Sequence, residues 1–326
     1  MRHYLLPESG NLYKACLHSH STVSDGYHSP ERMKEIYKDR GYHILSVTDH
    51  GKLVDHSALS DDDFIMLTGV EYWVGGGDVK LGNMERAMEF NLFAKDPHNT
   101  SLECFNAKPK EFSLEYMQFV IDTANANGFL VSLNHPICSF LTTEFIRNLD
   151  GLLAMEIYNQ DAILCGVNER GLTMYEELLR YGKPWCCVAS DDSHGTPSVA
   201  HPSQGFVMIK AGELKYDKII SALEAGNFYA STGPVIEELY VEDGEAHIKC
   251  SPVKYIGMET NGRPRGGVRR AKLDDEYLTE ASFKLKEGLA YIRFDIEDEH
   301  GNWAHTRAYF PDGQEGIPSV ALFNIK

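Results

Sequence analysis

Five polar clusters stand where apolar runs of the chain stop: LHSHSTVSDG (17–26), TDH (48–50), GVEY (69–72), NHP (134–136) and SDDSH (190–194). Histidines and carboxylates gathered at a ring of strand ends describe a multinuclear metal centre. In extended backbone, side chains two apart share a face, so His18 and His20 reach one ion while Ser19 turns away. Ser24, Asp25 and Gly26 follow with a carboxylate on a turn whose glycine lets the chain fold back. Asp49 and His50 must face opposite ways, one a ligand and the other its support. Ligating imidazoles give their second N–H to a carboxylate, which puts His50 on the metal and Asp49 behind it. Glu71 can bridge two ions through its two oxygens. His135, Asp191 and His194 end two further runs. GLLAMEIYN (151–159) brings no obvious ligand beyond Glu156 or Asn159, and Tyr158 and Asn159 either touch substrate or end a strand.

The elements that carry these residues alternate. Ser29 as a helix cap, Pro30 at the first helical position, Met33, Ile36 and Tyr37 on one face and Gly41 past the end predict a helix between two strands. Helical patterns also run from Leu114 to Asn127, Asn168 to Tyr181 and Tyr216 to Ala225, each after or before a short β-rich run. Alternation over the first two thirds predicts a parallel α/β architecture with the site at the C-terminal ends of its strands. A boundary falls at 226–235, in GNFYASTGPVI. Beyond it the period changes to two, in EELYVED, EAHIKCS, KYIGMETNG, EASFKLK, LAYIRFDIED and WAHTRAYF, with Asp-Gly and Asn-Gly turns between. The expected organisation is therefore residues 1–234 as the metal-binding region and 235–326 as a small all-β sandwich.

In this order and spacing, HSH, SDG, TDH, GVE, NHP and SDDSH resemble the PHP (polymerase and histidinol phosphatase) metal-dependent phosphoesterases, over roughly residues 13–234. The resemblance implies a distorted seven-stranded (β/α) TIM-like barrel holding two or three divalent ions, zinc, manganese or iron. It implies His18, His20, Glu71 and Asp191 on a first ion, Glu71 and His135 on a second, and Asp25, His50 and His194 on a third. Where relatives carry a histidine, this chain has Glu89 in EFNLFAK (89–95), so the second site is either held by harder, oxygen ligands or vacant. The implied activity is hydrolysis of a small phosphate mono- or diester by a metal-bridged hydroxide at a di- or trinuclear site. His28, close to Asp25, is a candidate proton donor. The tail YIRFDIEDEHGNWAHTRAYF resembles the branch of carbaryl-hydrolase and microcin-maturation type, in which a β domain follows the barrel. That branch keeps two alternatives open, a metal-dependent amide or carbamate-ester hydrolase and a non-catalytic metal-binding protein.

The composition fits. The formal net charge is −17 and basic residues occur only in short pairs such as Arg269–Arg270, so no nucleic acid or anionic membrane is expected as partner. Four ligand carboxylates, Asp25, Glu71, Glu89 and Asp191, set against three divalent ions leave the centre net positive, which favours a small anionic substrate. No run approaches the ~20 apolar residues of a membrane span, so a cytoplasmic location is expected. Seven cysteines, none in a CxxC pair, are expected as reduced thiols, several of them buried. Gly75–Gly77 lacks the GK[ST] of a phosphate cradle, and RPRGGVRR (263–270) is expected as a solvated loop. Oligomeric state and substrate identity are not written in these residues.

Overall fold

Short apolar runs buried on both faces become strands here, and the amphipathic runs between them become the helices that cover them. The structure, a computed structural model, describes residues 2–75, 80–81, 84–195, 204–260, 266–273, 276–312 and 322–323. The glycine run past residue 75 and positions 263–265 of the basic segment lie outside them, and Gly267–Arg270 of that segment is a strand rather than the expected loop. The chain opens with β1 (His3–Tyr4), β2 (Asn11–Cys16), α1 (Pro30–Asp39), β3 (Ile44–Val47) and β4 (Ile65–Val74). A short hairpin of β5 (Lys80–Leu81) and β6 (Met84–Glu85) leads to β7 (Met88–Ala94), α2 (Leu114–Ala126) and β8 (Phe129–Leu133). Then come α3 (Thr143–Ile146), β9 (Ala154–Asn159), α4 (Gln160–Leu164), α5 (Leu172–Arg180), β10 (Cys186–Ser190), β11 (Phe206–Ala211), α6 (Tyr216–Glu224) and β12 (Phe228–Ser231).

The local expectations for α1 hold. The Ser29 side chain accepts from Arg32 N, Pro30 opens the helix, Met33 and Tyr37 are buried, and Gly41 at φ 74° lies just past its end. α5 starts at Leu172, four residues later than its apolar pattern suggested, because Gly171 N is tied to Ile157 O at 2.8 Å.

One sheet runs in the order β10-β9-β8-β7-β4-β3-β2-β11-β12, then into C-terminal strands. The β2/β3/β4 and β8/β9/β10 neighbours are parallel, but β7 is antiparallel to both β4 and β8, and β11 to β2. The all-parallel arrangement is thus corrected, with a consequence for the site: β7 starts at the end where its neighbours finish. Among the described residues the sheet is not closed by a ladder into a seven-stranded barrel. No ladder joins β10 to β11 among the described residues, since the two edges of β11 are already taken by β2 and β12. Only the end of β2 is left, and there one bridge, Ser19 to Ser193, links the two arms. It is made by His20 N donating to Ser193 O and Asp192 N donating to His18 O, both at 3.0 Å.

Beneath the strand ends lies an apolar floor that takes Ala15, Ile44, Leu67, Phe93, Leu130, Ala154, Val188 and Val207 from successive strands, closed by Ile219 and Leu223 of α6. A second core packs α2 and α5 on the outer faces of β7, β8 and β9.

After β12 the chain forms β13 (Ile236–Glu242), β14 (Glu245–Val253), β15 (Tyr255–Thr260), β16 (Gly267–Arg270), β17 (Leu278–Lys284), β18 (Ile292–Glu297), β19 (Trp303–Thr306), β20 (Phe310–Pro311) and β21 (Leu322–Phe323). Two antiparallel layers result. The order β1-β13-β14-β17 makes one, and β12-β19-β18-β15-β16 continues the large sheet as the other. They share a core containing Leu239, Ile248, Phe283, Ile256, Phe294 and Ile296. Asp243 and Gly244, at φ 50° and 76°, make the expected Asp-Gly hairpin turn.

Tyr216 anchors α6 under the sheet: its hydroxyl donates to Ala94 O at 2.8 Å and accepts from Thr68 N at 3.2 Å. Tyr216→Phe leaves both backbone groups unmet and should lower the unfolding free energy by about 1–3 kcal/mol in a urea titration, without changing metal content.

Candidate metal centre

The ends of β2, β3, β4, β8 and β10 and the start of β7 converge on one point. His18 and His20 leave β2 with rings 5.2 Å apart, while Ser19 turns away to donate to Ser46 O at 3.0 Å. Glu71, fully buried on β4, sits in the middle. Its Oε1 is 3.2 Å from His18 Nε2 and from His135 Nε2, and its Oε2 is 3.3 Å from His20 Nε2 and 2.9 Å from His50 Nδ1. Glu89 is the second residue of β7, so the reversed direction of that strand brings it in, 3.4 Å from His135 Nε2. Asp25 lies 3.6 Å from His50 and 3.7 Å from His194.

Four groupings could each hold an ion: His18 with His20 and Asp192; His18 with Glu71 and His135; His50 with Glu71 and Glu89; and His20 with Asp25, His50 and His194. Eight of the nine expected ligands are therefore brought together. The ninth is corrected. Asp192, not Asp191, enters the cluster, with Oδ1 3.0 Å from His18 Nε2 and 2.9 Å from His20 Nε2. The backbone decides between the two aspartates. Asp192 has φ 49°, a left-handed conformation in which the chain turns its side chain inward, and Asp191 points the other way. Asp191 accepts from Gln204 N and Gly205 N at 3.0 Å and from the Tyr37 and Tyr42 hydroxyls at 3.1 and 3.4 Å.

Other side chains hold the ligands in place. Glu156 accepts from or faces His18 Nδ1 at 2.8 Å, and also takes His135 N and Ser190 Oγ. It thereby leaves His18 Nε2 for the centre. His135 Nδ1 meets Ser139 Oγ at 3.1 Å, and Asn134 donates to Glu71 Oε1 at 2.7 Å. Asp49 does not stand behind His50. It receives the N–H and hydroxyl of both Ser21 and Ser24, which fixes the turn that carries Asp25. Asn159 caps α4 and donates to Asp192 Oδ2 and Glu156 Oε2. Tyr158 is not brought to the cluster: its hydroxyl donates to Gln160 and its ring meets Trp303 edge-on at 5.5 Å. His28 lies beside the 193–195 turn, its ring against bare Gly195 and edge-on to Tyr27. Asp161, on α4, was missed; its Oδ2 is 3.8 Å from His194 Nδ1 at the rim.

The electrostatics are those of a cation site. Burial alone would raise the carboxyls of Glu71 and Asp192, yet the surrounding imidazoles hold both well below the usual carboxylate range. Burial would lower the imidazoles, yet those carboxylates pull His18 and His135 well up and His50 to about 9. Glu89, desolvated and facing Glu71, is pushed up to about 7. Three buried atoms, His18 Nε2, His20 Nδ1 and Glu71 Oε2, meet their neighbours in no hydrogen-bond geometry. Buried polar atoms are normally satisfied, and imidazole nitrogens grouped with carboxylate oxygens suit zinc, manganese or iron. The donor set fits divalent ions.

No family model matches this chain, and no curated protein matches it. Among solved structures it is similar to a two-domain protein from Bacteroides vulgatus containing a PHP-like metal-dependent phosphoesterase assigned from sequence. The identity is 14% and the TM-score 0.48, over 94% of this chain and 98% of that one. A second likeness is to a candidate metal-dependent phosphoesterase from Bifidobacterium adolescentis, at 17% identity and TM-score 0.38, over 59% of this chain and 91% of the other. A third is to an amidohydrolase from Chromobacterium violaceum, at 15% identity and TM-score 0.42, over 66% and 96%. All three scores are below 0.5, so the functional reading rests on the side chains themselves.

Asp192→Asn should lose at least one equivalent of metal by elemental analysis with the fold retained. Asp191→Asn should keep the metal and lose about 1–3 kcal/mol of stability. Because a bound ion must displace the protons that Glu71 and Asp192 draw onto the imidazoles, apparent metal affinity should rise with pH up to about 9, where His50 gives up its proton. Competition with a chelating dye across pH 6.5–9.5 measures this, and a flat profile would contradict it.

Proposed function

We propose that this chain is a metal-dependent hydrolase of the PHP kind, with its strands forming a distorted barrel around the site, that cleaves a small phosphate mono- or diester. The observation that carries the reading is Glu71, a buried carboxylate within 3.3 Å of four imidazoles and shared by two of the possible ion groupings. His18, His20 and Asp192 would hold one ion, and Glu71 with His135 and Glu89 a second. Asp25, His50 and His194 would hold a third. When bound, such ions supply Lewis acidity, polarising a phosphoryl oxygen and acidifying water. Asp25, Glu71, Glu89 and Asp192 against three divalent ions leave the centre positive, which suits an anionic ester inside a chain of net charge −17.

The chain's own residues do the rest. Glu156 and Ser139 fix the rings of His18 and His135 from behind, and Asn159 and Asn134 hold the carboxylates of Asp192 and Glu71. Asp161 is the acid at the rim. Its Oδ2, 3.8 Å from His194 Nδ1, is placed to pass a proton to the leaving oxygen, and burial and the nearby Asp192 charge raise its carboxyl. No helix among the described residues is long and apolar enough to cross a membrane, and we place the protein in the cytoplasm.

Protein purified without chelator should carry two to three equivalents of divalent metal and cleave nitrophenyl phosphate mono- or diesters in a reaction that EDTA abolishes. Metal with cleavage of carbamates or amides but of no phosphate ester would transfer the same machinery to carbon. Metal with no turnover on either panel would leave a binding protein. Asp161→Asn should retain its metal yet slow alkyl phosphate esters about 10²-fold while sparing nitrophenyl esters, whose leaving group needs no proton.

A further inference from the structure

The end of the sheet opposite the metal centre holds a buried charge that meets the Tyr309 ring at 5.8 Å but, among the described residues, no carboxylate. Arg307, just after β19, is 3% exposed. Its Nη1 donates to Ala225 O at 3.1 Å, its Nε makes no hydrogen bond, and no carboxylate pairs with it among the described residues. The contrast with Arg293 is direct, since that buried guanidinium is gripped by Asp295 and Glu176. Desolvating a charge without a counter-ion is costly, and the carbonyl at the end of α6 offsets only part of it. The chain nevertheless makes room for the group. Gly226 stands at φ 66°, and a Cβ there would lie 1.7 Å from Nη1.

The guanidinium lines a cavity of about 460 Å³ at the N-terminal ends of β8, β9 and β10, walled by Leu130, Leu152, Leu153, Pro184 and Trp185. Two carboxylates also border it, Asp150 and Glu224, each engaged by a lysine, Lys183 at 2.6 Å and Lys95 at 2.5 Å. We propose that this cavity binds a small organic carboxylate with an apolar body. Arg307 Nε is closed off from solvent and Nη1 is held by Ala225 O, so Nη2 is the guanidinium nitrogen left to donate to a carboxylate oxygen in the cavity. A single cation balances a monoanion better than a phosphate dianion. The leucines and Trp185 receive the apolar body, and the volume is that of an ordinary small-molecule site.

Calorimetric titration and thermal melts of the metal-loaded full chain test this with four probes: benzoate, hexanoate, benzamide and inorganic phosphate. Benzoate and hexanoate should bind and raise the melting temperature, and benzamide and phosphate should bind at least tenfold more weakly. Arg307→Met should abolish benzoate binding and raise the melting temperature of the ligand-free protein, because it removes an unpaired buried charge. Arg307→Lys keeps the charge but not the planar guanidinium whose Nη2 reaches the cavity, and should weaken benzoate at least tenfold. Glu224→Gln, which removes a neighbouring negative charge, should tighten it, and Asp192→Asn should leave it unchanged. Benzoate binding that survives Arg307→Met but fails in Asp192→Asn would put the anion on the metal centre and overturn the proposal. So would an Arg307→Met protein that melts lower or does not fold, which would make the guanidinium a structural clamp, and so would failure of both carboxylates to bind.

Discussion

The strand ends are organised around a single desolvated negative charge, the Glu71 carboxylate. Taking a carboxylate out of water is expensive, and it stays ionised only where opposite charge or donors surround it closely. Four imidazoles and the Asn134 amide do so here. Asp192 repeats the pattern a few ångströms away with His18 and His20. Two buried carboxylates together are more negative than neutral imidazoles can balance, so the cluster draws either protons or metal ions to itself. The raised proton affinities of His18, His50 and His135 and the site's suitability for divalent cations are one electrostatic fact seen twice.

Holding that charge in place needs polar groups behind the ligands as much as the ligands themselves. Glu156 faces His18 on one side and the His135 amide on another, so one carboxylate sets two histidines. Glu169 does related work further out: it accepts from Ile137 N and Cys138 N, fixing the turn after His135, and burial lifts its carboxyl to about 7. Asp49 does the same for the turn that carries Asp25. The first ring of side chains is thus positioned mostly by carboxylates accepting backbone N–H bonds, which are strong because they are charge-assisted.

The side chains of the candidate cluster are legible in sequence where a strand end fixes their direction. His18, His20, His50, Glu71 and His135 each follow a buried run, and the period of two placed Ser19 correctly on the far side. Glu89 was legible only as a departure from a resemblance, since nothing local says that β7 runs backwards and presents its first residues to the site. Adjacent aspartates defeated the period altogether. SDDSH offers two candidates, and the choice rests on a left-handed φ at Asp192, a conformation open to either aspartate that propensity cannot assign to one of two neighbours. The other aspartate is no spare. Asp191 ties the returning chain at Gln204 and Gly205 to Tyr37 and Tyr42, and Gly205 passes so close that a Cβ would lie 2.2 Å from Ser190 O. One aspartate builds the wall against which the other is set.

The change of period near residue 234 marks a change of architecture, but the hydrogen bonds do not respect it. β12 pairs with β19, so the large sheet passes from one half to the other, and β1 from the first residues pairs with β13 of the second layer. A buried ionic chain adds to this: Glu176 on α5 grips Arg293 on β18, which grips Asp295, which meets His305 on β19. Breaking such a pair leaves an uncompensated buried charge, so the halves are held in one register more by the cost of separation than by the net gain of contact. Since α5 follows directly on the segment that carries Glu169 and packs against β9, which carries Glu156, the C-terminal strands brace the element behind the metal centre. Among the described residues these strands add no group to the candidate metal cluster; they brace the elements that stand behind it.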